Sequence, residues 1–356
     1  MANERVAALL ERIRRQAARP LTFMEVCGTH TMAVGRHGLR GLLPSGLTLL
    51  SGPGCPVCVT PAADIERAVR LSLRPRVAVA TFGDMLRVPA LSASLEEAAA
   101  KGGRVVMVYS PFEALELARR ERGTEVVFAA VGFETTAPSI AAVVKEAKRT
   151  GTTNFSILPL CKRVPPALEF ILSKGPALDG FLLPGHVSAV IGLAPYSFLP
   201  ERGGRGVVAG FEPEDILEAL LELVRLAGRG EKAVRNRYRR AVRPEGNPAA
   251  LRVMEEVFES RTSRWRGIGP IPDSGLALRE EYAFFDAERR FGLEGSLEED
   301  GEEGGCICGE IMLGFRLPPD CPLFGSGCTP SRPAGPCMVS SEGSCAAWYK
   351  YGGKDD

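Results

Sequence analysis

Ten cysteines are the most conspicuous chemical groups in this chain of 356 residues. The first, Cys27, directly follows a predicted strand and precedes Gly28, which permits a tight turn. Loops at the carboxyl ends of parallel strands form the binding crevice of such sheets, and a helix beginning here would lower the pKa of the thiol. Cys27 and His30 are therefore a candidate iron-binding pair, or a nucleophile with its base. The alternative is a buried cysteine beside a core histidine.

A second thiol motif, Cys55-Pro-Val-Cys58, follows the next predicted strand. Cys-x-x-Cys pairs serve as a dithiol/disulfide couple or as half of a metal site. The amino-terminal half contains no second pair of this kind that would complete a zinc tetrad. A redox role, or a metal shared with Cys27, is therefore favoured over structural zinc, and an inert pair is the remaining alternative.

Polar residues follow three further predicted strands, namely Asp84, Glu134 and His186. In parallel sheets these side chains would reach the same edge as the thiols. They are candidates for orienting ligands or moving protons, although each of them alone is compatible with an ordinary turn. The isolated Cys161 is compatible with a small buried apolar side chain.

Six more cysteines fall within 40 residues near the carboxyl end: Cys306, Cys308, Cys321, Cys328, Cys337 and Cys345. No histidine lies among them, and an all-thiolate set favours zinc or an iron–sulfur cluster. Their wide spacing is atypical of zinc knuckles and favours a cluster with four cysteine ligands. Two thiols then remain for a disulfide that exchanges electrons with the cluster. Three plain disulfides are the alternative, which an intracellular location disfavours.

Composition limits the classes of partner. The net charge of +1 provides no electrostatic footprint for nucleic acid or an anionic membrane. The uncharged stretches Leu42–Ala63 and Gly180–Pro200 are interrupted by proline and glycine, so neither predicts a membrane helix. No phosphate-binding loop or dinucleotide fingerprint occurs. Because no secretory signal is recognised at the amino terminus, we expect a cytoplasmic protein.

Strand and helix patterns alternate through the chain and predict an α/β fold with parallel sheets. The predicted strands are Leu21–Glu25, Leu47–Ser51, Arg76–Thr81, Arg104–Tyr109, Glu125–Val131, Asn154–Pro159, Asp179–Pro184 and Gly206–Ala209. The predicted helices between them are Pro61–Leu73, Leu95–Lys101, Pro111–Arg122, Pro138–Thr150, Pro165–Ser173 and Pro213–Gly228. We expect two small doubly wound parallel-sheet domains and a carboxyl-terminal cysteine-rich region.

The expected domain boundaries follow these patterns. Residues 1–20 form a helix, 21–123 an α/β domain with the first three cysteines, 124–230 a second α/β domain, and 231–356 a helical and cysteine-rich domain. Glu231–Ser260 is predicted to be a basic amphipathic helix, and the acidic stretch Gly295–Gly305 a connector.

Several of these motifs resemble the HypD family of hydrogenase maturation factors, over about Leu21 to Gly353. The matching stretches are Met24-Glu-Val-Cys-Gly-Thr-His-Thr31, Gly52-Pro-Gly-Cys-Pro-Val-Cys58, Val131-Gly-Phe-Glu-Thr-Thr136, Leu183-Pro-Gly-His-Val187 and Gly335-Pro-Cys-Met-Val-Ser-Ser-Glu-Gly-Ser-Cys345. The resemblance implies two α/β domains and a carboxyl-terminal [4Fe-4S] cluster. It also implies a complex with the small chaperone HypC, and a transient complex with HypE, which delivers cyanide.

The resemblance further implies roles for individual cysteines. Cys27 would hold iron together with a cysteine of HypC, and Cys55 and Cys58 would be the redox pair beside it. The cluster region is similar to that of ferredoxin:thioredoxin reductase, which implies Cys306, Cys321, Cys328 and Cys345 as cluster ligands and Cys308 and Cys337 as a nearby redox pair.

Two functions follow from these expectations. In the first, the protein is a scaffold on which the Fe(CN)2CO unit of [NiFe] hydrogenases is assembled. In the second, it is an iron–sulfur thiol–disulfide oxidoreductase that acts on a protein disulfide. About five iron atoms with the partner indicate the scaffold, and about four indicate the oxidoreductase. A zinc-organised binding module without redox activity would contain no iron.

Overall fold

The computed structural model describes residues 2–293 and 305–352. Its strands are β1 (Leu21–Glu25), β2 (Leu47–Ser51), β3 (Val77–Thr81), β4 (Val105–Met107), β5 (Glu125–Ala130), β6 (Phe155–Pro159), β7 (Gly180–Pro184), β8 (Gly206–Ala209), β9 (Val234–Asn236), β10 (Phe258–Trp265) and β11 (Gly269–Leu278). Each predicted strand occurs, with bounds that differ by at most two residues. Apart from Gly305, the predicted connector Gly295–Gly305 lies outside the described residues.

The helices account for about half of the remaining described residues. They are α1 (Ala2–Gln16), α2 (Gly28–Arg36), α3 (Leu39–Leu42), α4 (Ala62–Ser72), α5 (Leu95–Ala100), α6 (Pro111–Arg120), α7 (Ala137–Thr150), α8 (Val164–Lys174), α9 (Gly185–Ile191), α10 (Phe198–Glu201), α11 (Pro213–Gly228), α12 (Pro248–Val257), α13 (Ala287–Arg290), α14 (Cys308–Leu313), α15 (Pro336–Val339) and α16 (Ser344–Tyr351). Local signals define their ends: Ser94 and Glu97 form a capping box on α5, and α6 and α11 begin with proline.

The strands form two parallel sheets and one hairpin. The first sheet has the order β2-β1-β7-β8-β9, the second has the order β4-β3-β5-β6, and β10 pairs with β11 in antiparallel fashion. Every neighbouring pair in the first two sheets is parallel. The predicted α/β class with parallel sheets is therefore confirmed.

Both faces of the central strands of these sheets, such as β3, β5 and β7, are buried, as their continuous apolar sequences predict. In β5, Val126, Phe128 and Ala130 belong to one apolar core, whereas Val127 and Ala129 belong to another. Such alternation places a separate layer of helices on each face. The loops at the strand ends remain free to carry the functional side chains.

The two parallel sheets are interleaved along the chain. The chain forms β1 and β2 in the first sheet, then all four strands of the second, and returns to the first sheet with β7, β8 and β9. Each sheet therefore contains strands from both sides of residue 123, the predicted boundary between the two α/β domains.

The prediction of a helix over Glu231–Ser260 was largely wrong. This stretch contains β9, a loop, the shorter helix α12 and the start of β10. Pro244 and Gly246, which has a φ of 72°, prevent a continuous helix over this stretch. Asn247 caps the start of α12, because its side chain accepts hydrogen bonds from two backbone N–H groups. Charged residues had suggested a helical face, but β10 instead buries Phe258 and Trp265 at its ends.

The carboxyl-terminal segment packs against the first sheet and its helices. The guanidinium of Arg40 in α3 lies 5.2 Å from the centre of the Trp348 ring in α16. A side chain on Gly35 of α2 would meet the Tyr351 ring at 3.0 Å. This packing places the six carboxyl-terminal cysteines, Cys306 to Cys345 (the late cysteines), close to the start of α2. None of the helices in the described part of the chain is long and apolar enough to cross a bilayer.

Candidate functional site

Cys27 lies in the loop between β1 and α2, directly against the loop that carries Cys55. The Gly28 N–H donates to the carbonyl oxygen of Gly54 at 2.9 Å. A Cβ atom on Gly54 would lie 2.3 Å from the Cys27 backbone nitrogen, so only glycine permits this approach. The two thiol motifs, separated by more than 20 residues in the sequence, therefore form one unit at the edge of the first sheet.

A cavity of about 380 Å³ opens beside Cys27 between the two parallel sheets. Its walls come from the loops after β1, β2, β5 and β7 and from the carboxyl-terminal segment. The lining residues are Val26, Cys27, Thr29, Gly54, Pro56, Phe133, Thr135, Thr136, Pro184, His186, Val187, Ala189, Val190 and Glu342. The cavity therefore presents one thiol, three hydroxyls, one imidazole and one carboxyl group among apolar side chains.

Burial controls the chemistry of the Cys27 thiol. Burial raises the pKa of Cys27 to about 12, and the nearby carboxyl groups of Glu342 and Glu25 act in the same direction. The backbone N–H groups of His30 and Thr29 at the start of α2 oppose this shift. The expected reduction of the thiol pKa by a helix terminus is thus present, but the loss of hydration outweighs it.

Glu25, which was not among the predicted site residues, is hydrogen-bonded to the backbone of Cys27. Its fully buried carboxylate accepts hydrogen bonds from the Cys27 N–H at 3.2 Å and from the Thr31 hydroxyl at 2.6 Å. Arg40 donates to the Ser51 hydroxyl at 2.8 Å and lies close enough to lower the pKa of Glu25, which burial raises. The glutamate at the end of the apolar strand β1 could have indicated this position, because a buried carboxylate needs hydrogen-bond partners.

Cys55 and Cys58 form a disulfide with a Cα–Cα distance of 5.3 Å. Both residues are buried. The Cys58 sulfur lies 3.9 Å from the carbonyl oxygen of Pro336, the residue before Cys337. Since Gly54 contacts the backbone of Cys27, the disulfide lies between Cys27 and the carboxyl-terminal cysteines.

The two predicted histidines have different surroundings. His30 is fully buried, and its Nε2 donates to the carbonyl oxygen of Gly210 at 2.9 Å. Burial lowers the pKa of His30 to about 4, and Nδ1 has no hydrogen-bond partner among the described residues. His186 is exposed, lines the cavity and stacks on Phe211 with a 3.9 Å centroid separation. His186 can therefore reach a ligand in the cavity, whereas the His30 ring fastens α2 to the loop after β8.

Two predicted acidic residues lie outside the cavity lining. Both oxygens of the Glu134 carboxylate accept hydrogen bonds from the Val164 N–H, at 3.0 and 3.1 Å, at the start of α8. Burial raises the pKa of Glu134 to about 7. Asp84 accepts a hydrogen bond from the Ser340 hydroxyl at 3.1 Å. These contacts give both residues structural roles next to the cavity.

Glu342 lines the cavity, although the sequence did not single it out. Its carboxylate accepts a hydrogen bond from the Thr29 hydroxyl at 2.8 Å. A side chain on Gly28 would meet the Cβ atom of Glu342 at 2.4 Å, so the loop between α15 and α16 lies directly on the start of α2. Its position in the sequence between Cys337 and Cys345 is the feature that could have indicated a place for Glu342 near the site.

The six late cysteines line one small cavity together with Ile311, Phe324, Gly335 and Met338. Five of these cysteines are buried and Cys306 is partly exposed. Burial raises the pKa of Cys345, and charge on Cys306, Cys328 and Cys321 would raise it further. Burial raises the pKa of Cys337 as well, and Cys345 and Cys306 add to that shift. The thiols are thus close enough to interact electrostatically.

This donor set fits a metal cluster by its chemistry, because it offers soft thiol ligands in an apolar pocket. The cavity has a volume of only about 10 Å³. Among the described residues, no group of three or more His, Cys, Asp or Glu side chains is arranged to hold a metal ion. The thiols would therefore have to move apart around a cluster.

Fold and site together define an α/β protein in which a disulfide separates a thiol-containing cleft from a cysteine cluster. The HypD family model, described as "Hydrogenase formation hypA family", matches residues 4–352. The chain is 49% identical to the hydrogenase expression/formation protein HupD of Azotobacter chroococcum, over 97% of this chain and 93% of that protein. It is 46% identical to the hydrogenase maturation factor HypD of Rhodobacter capsulatus, over 98% and 94%.

An archaeal protein is similar over the same length. The putative hydrogenase expression/formation protein of Methanocaldococcus jannaschii is 43% identical, over 98% of this chain and 96% of that protein. The chain belongs to the HypD family of hydrogenase maturation factors.

Proposed function

We propose that this protein is the scaffold on which the Fe(CN)2CO unit of [NiFe] hydrogenases is assembled, in complex with a HypC-type chaperone and HypE. Cys27 binds the iron, together with a cysteine of the chaperone. Membership of a family of hydrogenase maturation factors supports the pathway. The observation that carries the proposal is the position of the Cys55–Cys58 disulfide, between the Cys27 cavity and the late cysteines.

The Cys27 cavity suits an iron site with soft ligands. It provides one buried thiol, and low-spin iron that binds cyanide and carbonyl favours thiolates. Metal binding displaces the thiol proton, which overcomes the raised pKa of Cys27. Thr135 and His186 in its lining are exposed, so the cavity is accessible to a ligand from a partner protein.

Cyanide carried on a partner's thiol is released by reduction. The thiocyanate R–S–CN and the Cys55/Cys58 dithiol yield the free thiol, HCN and the Cys55–Cys58 disulfide, a transfer of two electrons and two protons. The short distance between Gly54 and Cys27 keeps this step beside the iron. The disulfide must be reduced again before the second cyanide is released.

The late cysteines are proposed to hold a [4Fe-4S] cluster, which supplies electrons when bound. Cys306, Cys321, Cys328 and Cys345 are the proposed ligands, and Cys345 lies close enough to the other three to interact with them electrostatically. Cys337 interacts with Cys345, Cys306 and Cys328 as well, so these interactions support a common thiol site, and the choice of four ligands rests on the family resemblance. Cys308 and Cys337 form the proposed redox pair. The contact between Pro336 and the Cys58 sulfur supports Cys337 as the link to the first disulfide.

The test is infrared spectroscopy of the anaerobic complex with a HypC-type partner, combined with iron counts. Cyanide and carbonyl bands are expected in the wild type and absent in Cys27→Ala. The matched control is Cys161→Ala, because Cys161 is equally buried and its pKa is also raised to about 12, but it lines neither cavity. This control should retain the bands.

Iron content separates the scaffold from an oxidoreductase. The loaded scaffold is expected to hold about five iron atoms, one more than the four of a single cluster. About four iron atoms without cyanide or carbonyl bands would refute the scaffold and favour an iron–sulfur thiol–disulfide oxidoreductase, which the formed Cys55–Cys58 disulfide also suits.

A further inference from the structure

The Cys27 cavity has no permanent positive charge with which to hold an anion. None of the described residues that line it is lysine or arginine, and Glu342 contributes an acidic group. An iron with two cyanides and thiolate ligands is an anion, so its transfer from water into this cavity must be offset by other interactions. Neutral hydrogen-bond donors can provide them, and they also bind less tightly than a salt bridge would when the unit has to be released.

Most hydroxyl groups near Cys27 are already engaged. The Thr29 hydroxyl donates to Glu342, and the Thr31 hydroxyl donates to Glu25. By contrast, the hydroxyls of Thr135 and Thr136 have no hydrogen-bond partner among the described residues, although both residues line the cavity. The side-chain donors available to a ligand are therefore Thr135, Thr136 and the exposed imidazole of His186. Only the two threonines are neighbours in the chain, so they can present two hydroxyls from one loop.

The backbone holds these threonines in place. They follow β5, and the Thr136 N–H donates to the carbonyl oxygen of Phe133 at 3.0 Å. A side chain on Gly132 would meet the Thr136 Cβ at 2.6 Å and its hydroxyl oxygen at 2.9 Å, so glycine at this position makes room for the threonine. Such preorganised donors stabilise charge without a cost of reorganisation.

Another part of the lining is apolar apart from His186. Val187, Ala189 and Val190 of α9 contribute to it, with Pro56 from the Cys55 loop. Cyanide bound to iron accepts hydrogen bonds at its nitrogen, whereas bound carbonyl is a poor acceptor and tolerates apolar surroundings. The cavity therefore differs between its walls in the property that distinguishes the two ligands.

We propose that Thr135 and Thr136 donate hydrogen bonds to the cyanide nitrogens of the iron unit on Cys27, and that the apolar side chains of Val187, Ala189 and Val190 surround the carbonyl. This assignment rests on the proposed function. It explains how a cavity whose described lining has no lysine or arginine selects and orients an anionic iron complex.

The experiment compares infrared spectra of the iron-loaded complex with its HypC-type partner, for the wild type, Thr135→Val and Thr136→Val. Valine preserves the shape of the side chain and removes the hydroxyl. A hydrogen bond to the nitrogen raises the cyanide stretching frequency, so at least one cyanide band should shift to lower wavenumber, with a smaller change in the carbonyl band. Thr81→Val is the control, because Thr81 is a buried threonine at the end of β3 that does not line the cavity.

Each outcome bears on a separate claim. A wild type without bands refutes the proposed function, whereas wild-type bands that stay unchanged in both valine variants overturn only the cyanide assignment. If a valine variant fails to load iron, the corresponding serine variant decides. Serine restores the hydroxyl, so recovery of loading and of the wild-type bands supports the assignment, and failure of the serine variant overturns it.

Discussion

At the residue scale, burial changes the properties of the groups that the sequence makes conspicuous. Cys27 begins a helix, yet its pKa is raised to about 12 because hydration is lost. A protonated, buried thiol resists oxidation and alkylation, and becomes a ligand when a metal displaces its proton. The metal-free Cys27 thiol should therefore react slowly, which is the behaviour that the proposed transient binding of iron requires.

Glu134 illustrates the same effect with a measurable pH dependence. Burial raises the pKa of Glu134 from 4.5 to about 7 in the folded protein. Between these values the folded state binds more protons than the unfolded state, so this residue lowers the free energy of unfolding as pH rises, by at most about 3 kcal/mol.

Glu134→Gln should remove this dependence, because glutamine keeps an acceptor for the Val164 N–H without a titrating group. Urea unfolding at pH 4.5, 5.5 and 7 checks the prediction, with both proteins measured at each pH. Relative to the variant, the wild type should lose stability with increasing pH. A constant difference between them would show that Glu134 titrates normally.

At the element scale, loops at strand ends form the site, and the loop between the short helices α15 and α16 packs against it. The loop between α15 and α16 rests on the start of α2 through Glu342, Thr29 and Gly28. This contact joins the cysteine cluster to the Cys27 cavity without any regular sheet between them. The position of the loop therefore determines how accessible Cys27 is.

Glu342→Ala should open this contact, because it removes the acceptor for the Thr29 hydroxyl. We expect a loss of about 1 kcal/mol in the free energy of unfolding and faster alkylation of Cys27 in metal-free protein. Peptide mass spectrometry measures the alkylation rate at each cysteine. Glu342→Gln retains an acceptor and serves as the control. Equal alkylation rates in the two variants would contradict a role for this hydrogen bond.

At the scale of the whole molecule, a largely buried charge network joins elements that are distant in sequence. The Lys162 side chain is 2% exposed, donates to the Ser263 hydroxyl at 2.6 Å and lies 3.7 Å from Asp64. Asp64 also accepts a hydrogen bond from Arg67 at 2.9 Å. The network fastens α4, which follows the Cys55–Cys58 loop, to the end of β6 and to the β10–β11 hairpin.

Removal of the central anion should be more harmful than removal of the cation. Asp64→Asn leaves the buried Lys162 without its ion-pair partner, whereas Arg67 retains Glu288 at 3.1 Å, and should cost about 2 kcal/mol. Lys162→Met replaces the ammonium with an apolar side chain of similar volume, while Asp64 keeps Arg67, and should cost less than about 1 kcal/mol. Urea unfolding compares the two variants. An equal or larger loss in Lys162→Met would contradict this account.

Much of this molecule was predictable from local patterns. Apolar runs and glycine or proline at their ends predicted every strand of the two parallel sheets except β9, and local patterns predicted six of the helices between them, α4 to α8 and α11. Cys27 and the Cys55/Cys58 pair were expected at one sheet edge, where the structure brings their two loops into contact. These features depend on residues close together in the chain, so the sequence displays them directly.

Long-range packing decided the rest. Local patterns do not specify that β1 pairs with β7. They also do not show that the four strands of the second sheet come between β2 and β7 of the first sheet in the sequence. Nor do they show that Glu342 reaches the Cys27 cavity while Glu134 caps α8. Strand order and the pKa of a buried group depend on which distant segments exclude water from which side chains. Periodicity and spacing record only whether a residue is apolar and where it lies on its own element.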